Sequence, residues 1–392
     1  MAIRYLTSGE SHGKALIGIL EGIPSGLSVS SGGIDGDLRR RQGGHGRGGR
    51  MKIEADRAQV LSGVRFGKTI GSPITLLIEN KDWHNWQDIM SSEFQLPSFK
   101  QKEVTSPRPG HADLAGAVKY DTHDMRNILE RSSARETAMR TALGAIAKKF
   151  LSEFGIRIGS YVIQIGEVKS SELKAKSSEK ELLALFKIAE MSPVRCPDKS
   201  ASQKMVQLID RAVKEGNSLG GVFEVFATGV PVGLGSHIQW DKRLDGKLAQ
   251  ALMSIQAIKG VEIGRGFDMS GKSGSEVMDE IFYKSAKFYR KTNNAGGIEG
   301  GMTNGMPVII IAAMKPIPTL RKPLSSVDIN TKKPVKAAYE RSDICAVPAA
   351  GVVGEAMTAL VIAGAFLEKF GGDSILEVKR NYNSYLNYLS KF

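Results

Sequence analysis

Gly22-Ile-Pro-Ser-Gly-Leu27 returns in the second half of the chain as Gly229-Val-Pro-Val-Gly-Leu234, each copy following an apolar, strand-like run. Four further landmarks recur in the same order. Gly63-Val-Arg-Phe-Gly67 is matched by Gly260-Val-Glu-Ile-Gly264, Thr69-Ile-Gly-Ser-Pro73 by Thr303-Asn-Gly-Met-Pro307, and Glu130-Arg-Ser132 by Glu340-Arg-Ser342. The helical stretches that follow close with Glu153-Phe-Gly155 and Lys369-Phe-Gly371. One short match carries little, but five in one order point to an internal repeat. The implied architecture is α/β and sandwich-like (α+β), with two similar βα halves, roughly 1–155 and 156–392, related by a pseudo-two-fold axis. Nothing between the halves has linker composition, so 1–392 is expected to form one domain with a shared core.

Between these landmarks the periodicities alternate. Ser133-Ala-Arg-Glu136 has the spacing of a capping box, and Met139, Leu143, Ile146, Phe150 and Phe154 follow at helical intervals up to Gly155. Leu244, Leu248, Leu252 and Ile255 form a second stripe, and Val353, Met357, Leu360 and Leu367 a third that ends at Gly371. Ile156–Ile165 and Val222–Val230 read as strands from their β-branched and aromatic content. Residues 170–218 read as a charged peripheral excursion with two amphipathic helices and no chemistry.

Lys and Arg outnumber Asp and Glu by 54 to 41, a balance that suits anionic partners. The two cysteines, Cys196 and Cys345, exclude a disulfide scaffold and lack metal-type spacing. No apolar signal core opens the chain, and the runs around Val308–Met314 and Leu360–Leu367 are too short to span a bilayer. A soluble cytoplasmic protein is expected.

Two long segments have no counterpart in the other half: Asp82–Leu129, containing Arg108-Pro-Gly-His-Ala-Asp113, and Arg265–Met302, containing the glycine-rich Asn293–Gly301. Such insertions are commonly functional loops, and their glycines favour close approach to a ligand. His12, within Gly9-Glu-Ser-His-Gly13, and His111, after Pro109-Gly110, are candidate proton donors or acceptors. His84, beside Trp83 and Trp86, and His123 and His237 read as ordinary structural histidines. Arg39, Arg40, Arg41, Arg47 and Arg50 surround Gln42-Gly-Gly-His-Gly46. With no interleaved aromatics, they suit small anions better than nucleic acid. Lys315-Pro-Ile-Pro-Thr319 presents Lys315 and Thr319 from a backbone stiffened by prolines. Gly266–Ser273 matches the phosphate-loop pattern, but Gly264-Arg-Gly266 is poor strand material ahead of it, so the match reads as chance.

Together Gly9–Gly13, Arg39–Arg50, Arg108–Asp113, Arg131–Thr137, Asn293–Gly305, Lys315–Thr319 and Glu340–Pro348 resemble the chorismate synthase family over most of the chain. The resemblance implies a carbon–oxygen lyase of the shikimate pathway. Its reaction would be anti-1,4-elimination of phosphate from 5-enolpyruvylshikimate 3-phosphate, in a homotetramer that requires reduced FMN without consuming it. It implies that His12 protonates the leaving phosphate, that His111 serves the flavin, and that Asp343 near flavin N5 assists proton removal, with Ser11 and Ser132 in support. Arg131, Ser132, Ser133, Gln256, Ala257, Gly300, Lys315, Pro316, Ile317, Pro318, Thr319 and Arg341 fall at the family's flavin positions. Arg41 and Arg47 fall where the family places NADP, and they equally suit the substrate anion. Whether the flavin is reduced by the chain's own use of NADPH or by an external reductase stays open, and the missing G-x-G-x-x-G fingerprint favours the latter.

Overall fold

In Ala15–Glu21 apolar residues occupy both faces, yet burial alternates strictly. Leu16, Gly18 and Leu20 are buried, while Ile17 and Ile19 remain exposed. That period of two marks a strand with one face on the core. The computed structural model describes residues 3–48, 55–92, 103–170, 178–285, 287–339 and 342–392.

Strands β1 (Arg4–Ser8), β2 (Ala15–Glu21), β3 (Gln59–Ser62) and β4 (Ile74–Glu79) form an antiparallel sheet of order β1-β2-β4-β3. A second antiparallel sheet contains β5 (Arg157–Ile165), β6 (Val168–Lys169), β7 (Gly221–Thr228), β8 (Ile258–Ile263) and β9 (Val308–Met314), in the order β8-β9-β7-β5-β6. Read from β5, its four longer strands run β5-β7-β9-β8, the order of the first sheet. The loops agree at atomic detail. Thr69 Oγ1 donates to the Pro24 carbonyl (2.6 Å) and accepts from Leu27 N (3.0 Å). Thr303 Oγ1 does the same with Pro231 O (2.6 Å) and Leu234 N (2.8 Å). Both threonines are buried, so each hydroxyl satisfies backbone groups that would otherwise be costly to desolvate.

Between the sheets lies a helical layer. Helix α1 spans Ser31–Gln42. Of the next two helices in the chain, α2 (Asp113–Tyr120) lies in the first insertion, and α3 (Arg126–Ser132) begins there and ends in the Glu130-Arg-Ser132 landmark. α4 (Thr137–Ser152) packs on β2 and β4, while α8 (Val347–Phe370) packs on β5 and β7, and the two helices pack on each other. Their approach depends on small residues: a Cβ at Gly144 would stand 2.3 Å from that of Ala356. One continuous cluster runs from Leu16 and Ile74 through Leu143 and Met357 to Val225 and Ile310. α8 is long and apolar enough to cross a membrane, which the reading of short apolar runs overlooked. Of its most apolar window 89% is buried inside the protein, as befits a core helix.

α5 (Glu179–Glu190) and α6 (Lys199–Glu215) form the excursion. α5 covers Tyr161, Phe226 and Ile309 on the outer side of the second sheet. α7 (Leu244–Met253) joins the central layer, and α9 (Ile375–Leu389) closes the chain against α8. The capping box at Ser133 forms only by half. Ser133 Oγ accepts from Arg135 N in a 3-10 turn, while Glu136 turns away to Thr7, Arg140 and Gln256. A bond to a guanidinium outweighs one to a neutral backbone amide.

Candidate active site

The hairpin between β1 and β2 turns at Gly9, whose φ of +99° is open to glycine, and a Cβ there would meet the Ala15 carbonyl at 2.2 Å. The turn lays Ser11 and His12 against the end of α3: Ser11 N donates to Glu130 O (3.0 Å), and His12 N to Glu130 Oε2 (2.7 Å). Both residues thereby reach a cavity of about 480 Å³. The remaining walls come from the end of α1, the Arg108–Ala112 loop, the turn before α4, the segment after α7, and the stretches before and at the start of α8.

Both central helices begin at this cavity. Thr137 opens α4, and Ala346, Ala349, Ala350 and Val353 bring the start of α8 to the wall. Helix N-termini present unpaired N–H groups and positive dipole ends, so two of them favour an anion. Arg41, Arg47, Arg108, Arg135 and Lys315 line the same space. Facing these cations are Asp56, paired to Arg135 at 2.7 Å, Asp343, paired to Arg47 at 2.7 Å, and Asp113, paired to Arg108 at 2.8 Å. Arg41 donates to Thr137 Oγ1 and the Ala134 carbonyl, meets Asp56 only at 3.7 Å, and leaves its buried Nη1 without a hydrogen bond. Burial and the charges of Arg47 and Arg135 outweigh Asp56 and Asp343 and push the guanidinium down to about 10.

Each imidazole leans on a carboxylate. His12 Nδ1 lies 2.8 Å from Glu130 Oε1, and His111 Nδ1 lies 2.5 Å from Asp113 Oδ1. Burial alone would raise the Asp113 carboxyl, but hydrogen bonds from His111 and Arg108 hold it far below the usual range. Arg108 Nη1 also donates to Thr319 Oγ1 (3.0 Å), and Lys315 Nζ donates to the Gly110 carbonyl, so the His111 loop is seated on the Lys315–Thr319 segment. Ala257, also in the wall, has φ +67°, a conformation that costs about 1–3 kcal/mol outside glycine. The Lys315 amide bonds its carbonyl at 2.9 Å and helps hold it there.

Ser11, His12, Arg41, Arg47, His111, Ser132, Ser133, Gln256, Ala257, Lys315, Ile317, Pro318, Thr319 and Asp343 therefore share one cavity. Other expected residues lie elsewhere. Arg131 points to the Thr7 and Gly9 carbonyls, Pro316 is exposed outside the lining, and Arg341 falls outside the described residues. Gly300 sits beside His237, away from the cavity. The glycine-rich Asn293–Gly301 loop contributes no wall residue. Its glycines allow close backbone packing: a Cβ at Gly296 would meet Gly264 N at 2.3 Å. Ser11 pairs with Ser133 (3.1 Å), whereas Ser132 bonds back to the Ile128 carbonyl of its own helix. The phosphate-loop match folds into a 3-10 turn, Gly266–Gly271, with Lys272 exposed.

Arg108, Asp113, Arg135, Asp56, Thr137, Glu130 and Trp86 were missing from the sequence reading of the site. Arg108 and Asp113 bracket the quoted His111 motif and were open to inference. The others join through contacts that no local pattern announces.

A family model described as chorismate synthase matches residues 3–367. A chorismate synthase of Aquifex aeolicus is 58% identical over 394 residues, covering 100% of this chain and 99% of the relative. One from Geobacter metallireducens is 56% identical over 398 residues, with full coverage of both chains. A solved structure titled "Crystal Structure of Chorismate Synthase" superposes with a TM-score of 0.82 at 48% identity, covering 100% of this chain and 99% of that one. Fold, cavity and likeness along the whole chain agree: the chain belongs to the chorismate synthase family.

Proposed function

We propose that this cavity carries out anti-1,4-elimination of phosphate from 5-enolpyruvylshikimate 3-phosphate, giving chorismate in the presence of reduced FMN. The observation that carries the reading is the convergence of His12, His111, Asp343 and four arginines, drawn from distant stretches of chain, on one cavity. A substrate with a phosphate and two carboxylates requires a surplus of positive charge, and the arginines with two helix N-termini supply it. FMN suits the residues present: Ile255, Ala257, Ala350 and Val353 offer an apolar wall for a ring system, and the Arg41 Nη1 proton suits an anionic group. Bound reduced flavin would supply electron density to the reacting substrate. The chain's own groups do the rest. His12 gives a proton to the departing phosphate, Arg41 and Arg47 stabilise its growing charge, and Asp343, tethered by Arg47 and Gly48 N, assists removal of the substrate proton. His111 serves the flavin, with Ser11 and Ser132 in support. Ser133, Gln256, Ala257, Lys315, Ile317, Pro318 and Thr319 would contact the flavin within this chain.

The matching strand orders and the twin threonine clasps support an internal duplication with pseudo-two-fold symmetry inside one domain. The inward-turned Arg41 and Arg47 favour a small anion over nucleic acid or a membrane surface. The protein would act in the cytoplasm as a homotetramer. An external reductase would supply the reduced flavin, a point decided by assaying with NADPH and FMN in air without added reductase.

Anaerobic assay with reduced FMN tests the reaction itself, and absence of chorismate overturns it. His12→Ala and His111→Ala should each lower kcat by about 10²-fold or more, with thermal midpoints nearly unchanged. Parallel losses of activity and stability would return both residues to a purely structural part.

A further inference from the structure

The environment of His12 is built more closely than a proton donor on a glycine-rich turn requires. Glu130, with only 2% of its side chain exposed, grips the residue twice: Oε2 accepts from the His12 backbone N–H at 2.7 Å, and Oε1 meets Nδ1 at 2.8 Å. Arg126 Nη1 adds a third bond to Oε1 at 3.1 Å. From the other side Trp86 stacks on the imidazole, with centroids 3.7 Å apart and planes 25° apart. Its indole is itself anchored through Nε1 to Asp82 Oδ2 (3.0 Å), and the Arg126 guanidinium lies 5.2 Å from its ring centre.

We propose that Glu130 is the positioning residue of His12, keeping a proton on Nδ1 so that the ring acts on the substrate through Nε2. A carboxylate has no proton to give, so a ring nitrogen at 2.8 Å from it must be the donor. Burial works to raise the Glu130 carboxyl, but the bonds from His12 and the charge of Arg126 hold it below the usual range and keep it ionised. The stack on Trp86 fixes the ring plane, and the double grip of Glu130 fixes rotation within that plane. When the phosphate departs, His12 acts from its doubly protonated form: the Nε2–H bond breaks as the proton passes to a phosphate oxygen, and the ring is left as the neutral Nδ1–H tautomer, still bonded to Glu130. Nothing in the Gly9–Gly13 sequence specifies the tautomer; the end of α3 does.

The proposal rests on reading His12 as the proton donor, so the test has two independent arms. Nitrogen-15 spectra of the ring-labelled full-length protein, recorded above the imidazole titration, report the tautomer directly. The expected result is Nδ1–H for His12 in the wild type and a tautomer mixture in Glu130→Gln. A wild-type signal from the Nε2–H form overturns the proposal whatever the enzyme does. In the kinetic arm, Glu130→Gln should lower kcat on the order of 10²-fold, as loss of a tautomer-fixing partner does elsewhere. KM for 5-enolpyruvylshikimate 3-phosphate should stay within about threefold, and Glu130→Asp should recover part of kcat. Wild-type kcat in Glu130→Gln overturns the positioning role. Failure of the wild type to make chorismate overturns only the elimination, because the spectra still judge the tautomer.

Discussion

Arg40 and Arg41 are neighbours on α1 and meet opposite fates. Arg40 bonds Asp37, Glu190 and Glu355 through five contacts of 2.7–2.9 Å. Glu355, fully buried in the middle of α8, also receives Lys148 (2.8 Å), Arg195 (3.2 Å) and Ser160 Oγ (2.7 Å). Three cations answer three carboxylates, and those carboxylates more than offset the burial that opposes the Arg40 charge. Arg41, one residue on and turned about 100° around the helix, has Asp56 only at 3.7 Å, a weaker pull from Asp343, and two arginines nearby. The difference separates a balanced network that joins α1, α4 and α8 from an unbalanced one that leaves positive charge on the cavity wall. Charge surplus, more than charge density, marks the site.

The sharpest way to break this comparison is to unbalance the first cluster. Glu355→Ala should destabilise the protein by about 3–5 kcal/mol, because it leaves the buried Arg195 and the half-buried Arg40 and Lys148 with reduced compensation. Thermal unfolding would show it, and a shift worth under 1 kcal/mol would mean that Arg40 needs no partner there. The opposite change tests the second cluster. Arg41→Gln should lower kcat/KM by about 10- to 100-fold, the value of one or two charge-assisted bonds to the substrate. Stability should hold or rise slightly, since a poorly compensated buried charge is removed. A large loss of stability would place Arg41 with Arg40.

Acid sharpens the same contrast. Burial raises the Glu355 carboxyl, but Lys148, Arg40 and Arg195 hold it far below its unfolded value. A depressed carboxylate contributes stability above its unfolded pKa of about 4.3 and loses it as pH falls below that. Each further pH unit should then cost the wild type about 1.4 kcal/mol from this group, a slope that Glu355→Gln should lack in denaturant titrations between pH 5 and pH 3. The smallest expected effect belongs to Lys272→Ala. Its exposed side chain lies outside the cavity, so kcat, KM and thermal midpoint should all be unchanged. A loss of turnover there would revive the phosphate-loop reading.

The amino-acid sequence carried the strand–helix order, the repeat landmarks and the stripes of α4, α7 and α8, because periodicity and turn chemistry act over a few residues. It also carried His12, His111, Arg41 and Arg47, whose residue types and glycine neighbours are local facts. It did not reveal the backbone packing of Asn293–Gly301, because glycine that admits a ligand and glycine that admits another backbone are spelled alike. Tertiary structure alone decided that Arg40 turns toward Glu355 while Arg41 turns toward the cavity. Only there does Trp86 come to cover His12, and Glu130, 118 residues away, come to hold its Nδ1. Such choices depend on which carboxylates and helix ends arrive from distant stretches of chain, since a charge or a tautomer is settled by its neighbours in space.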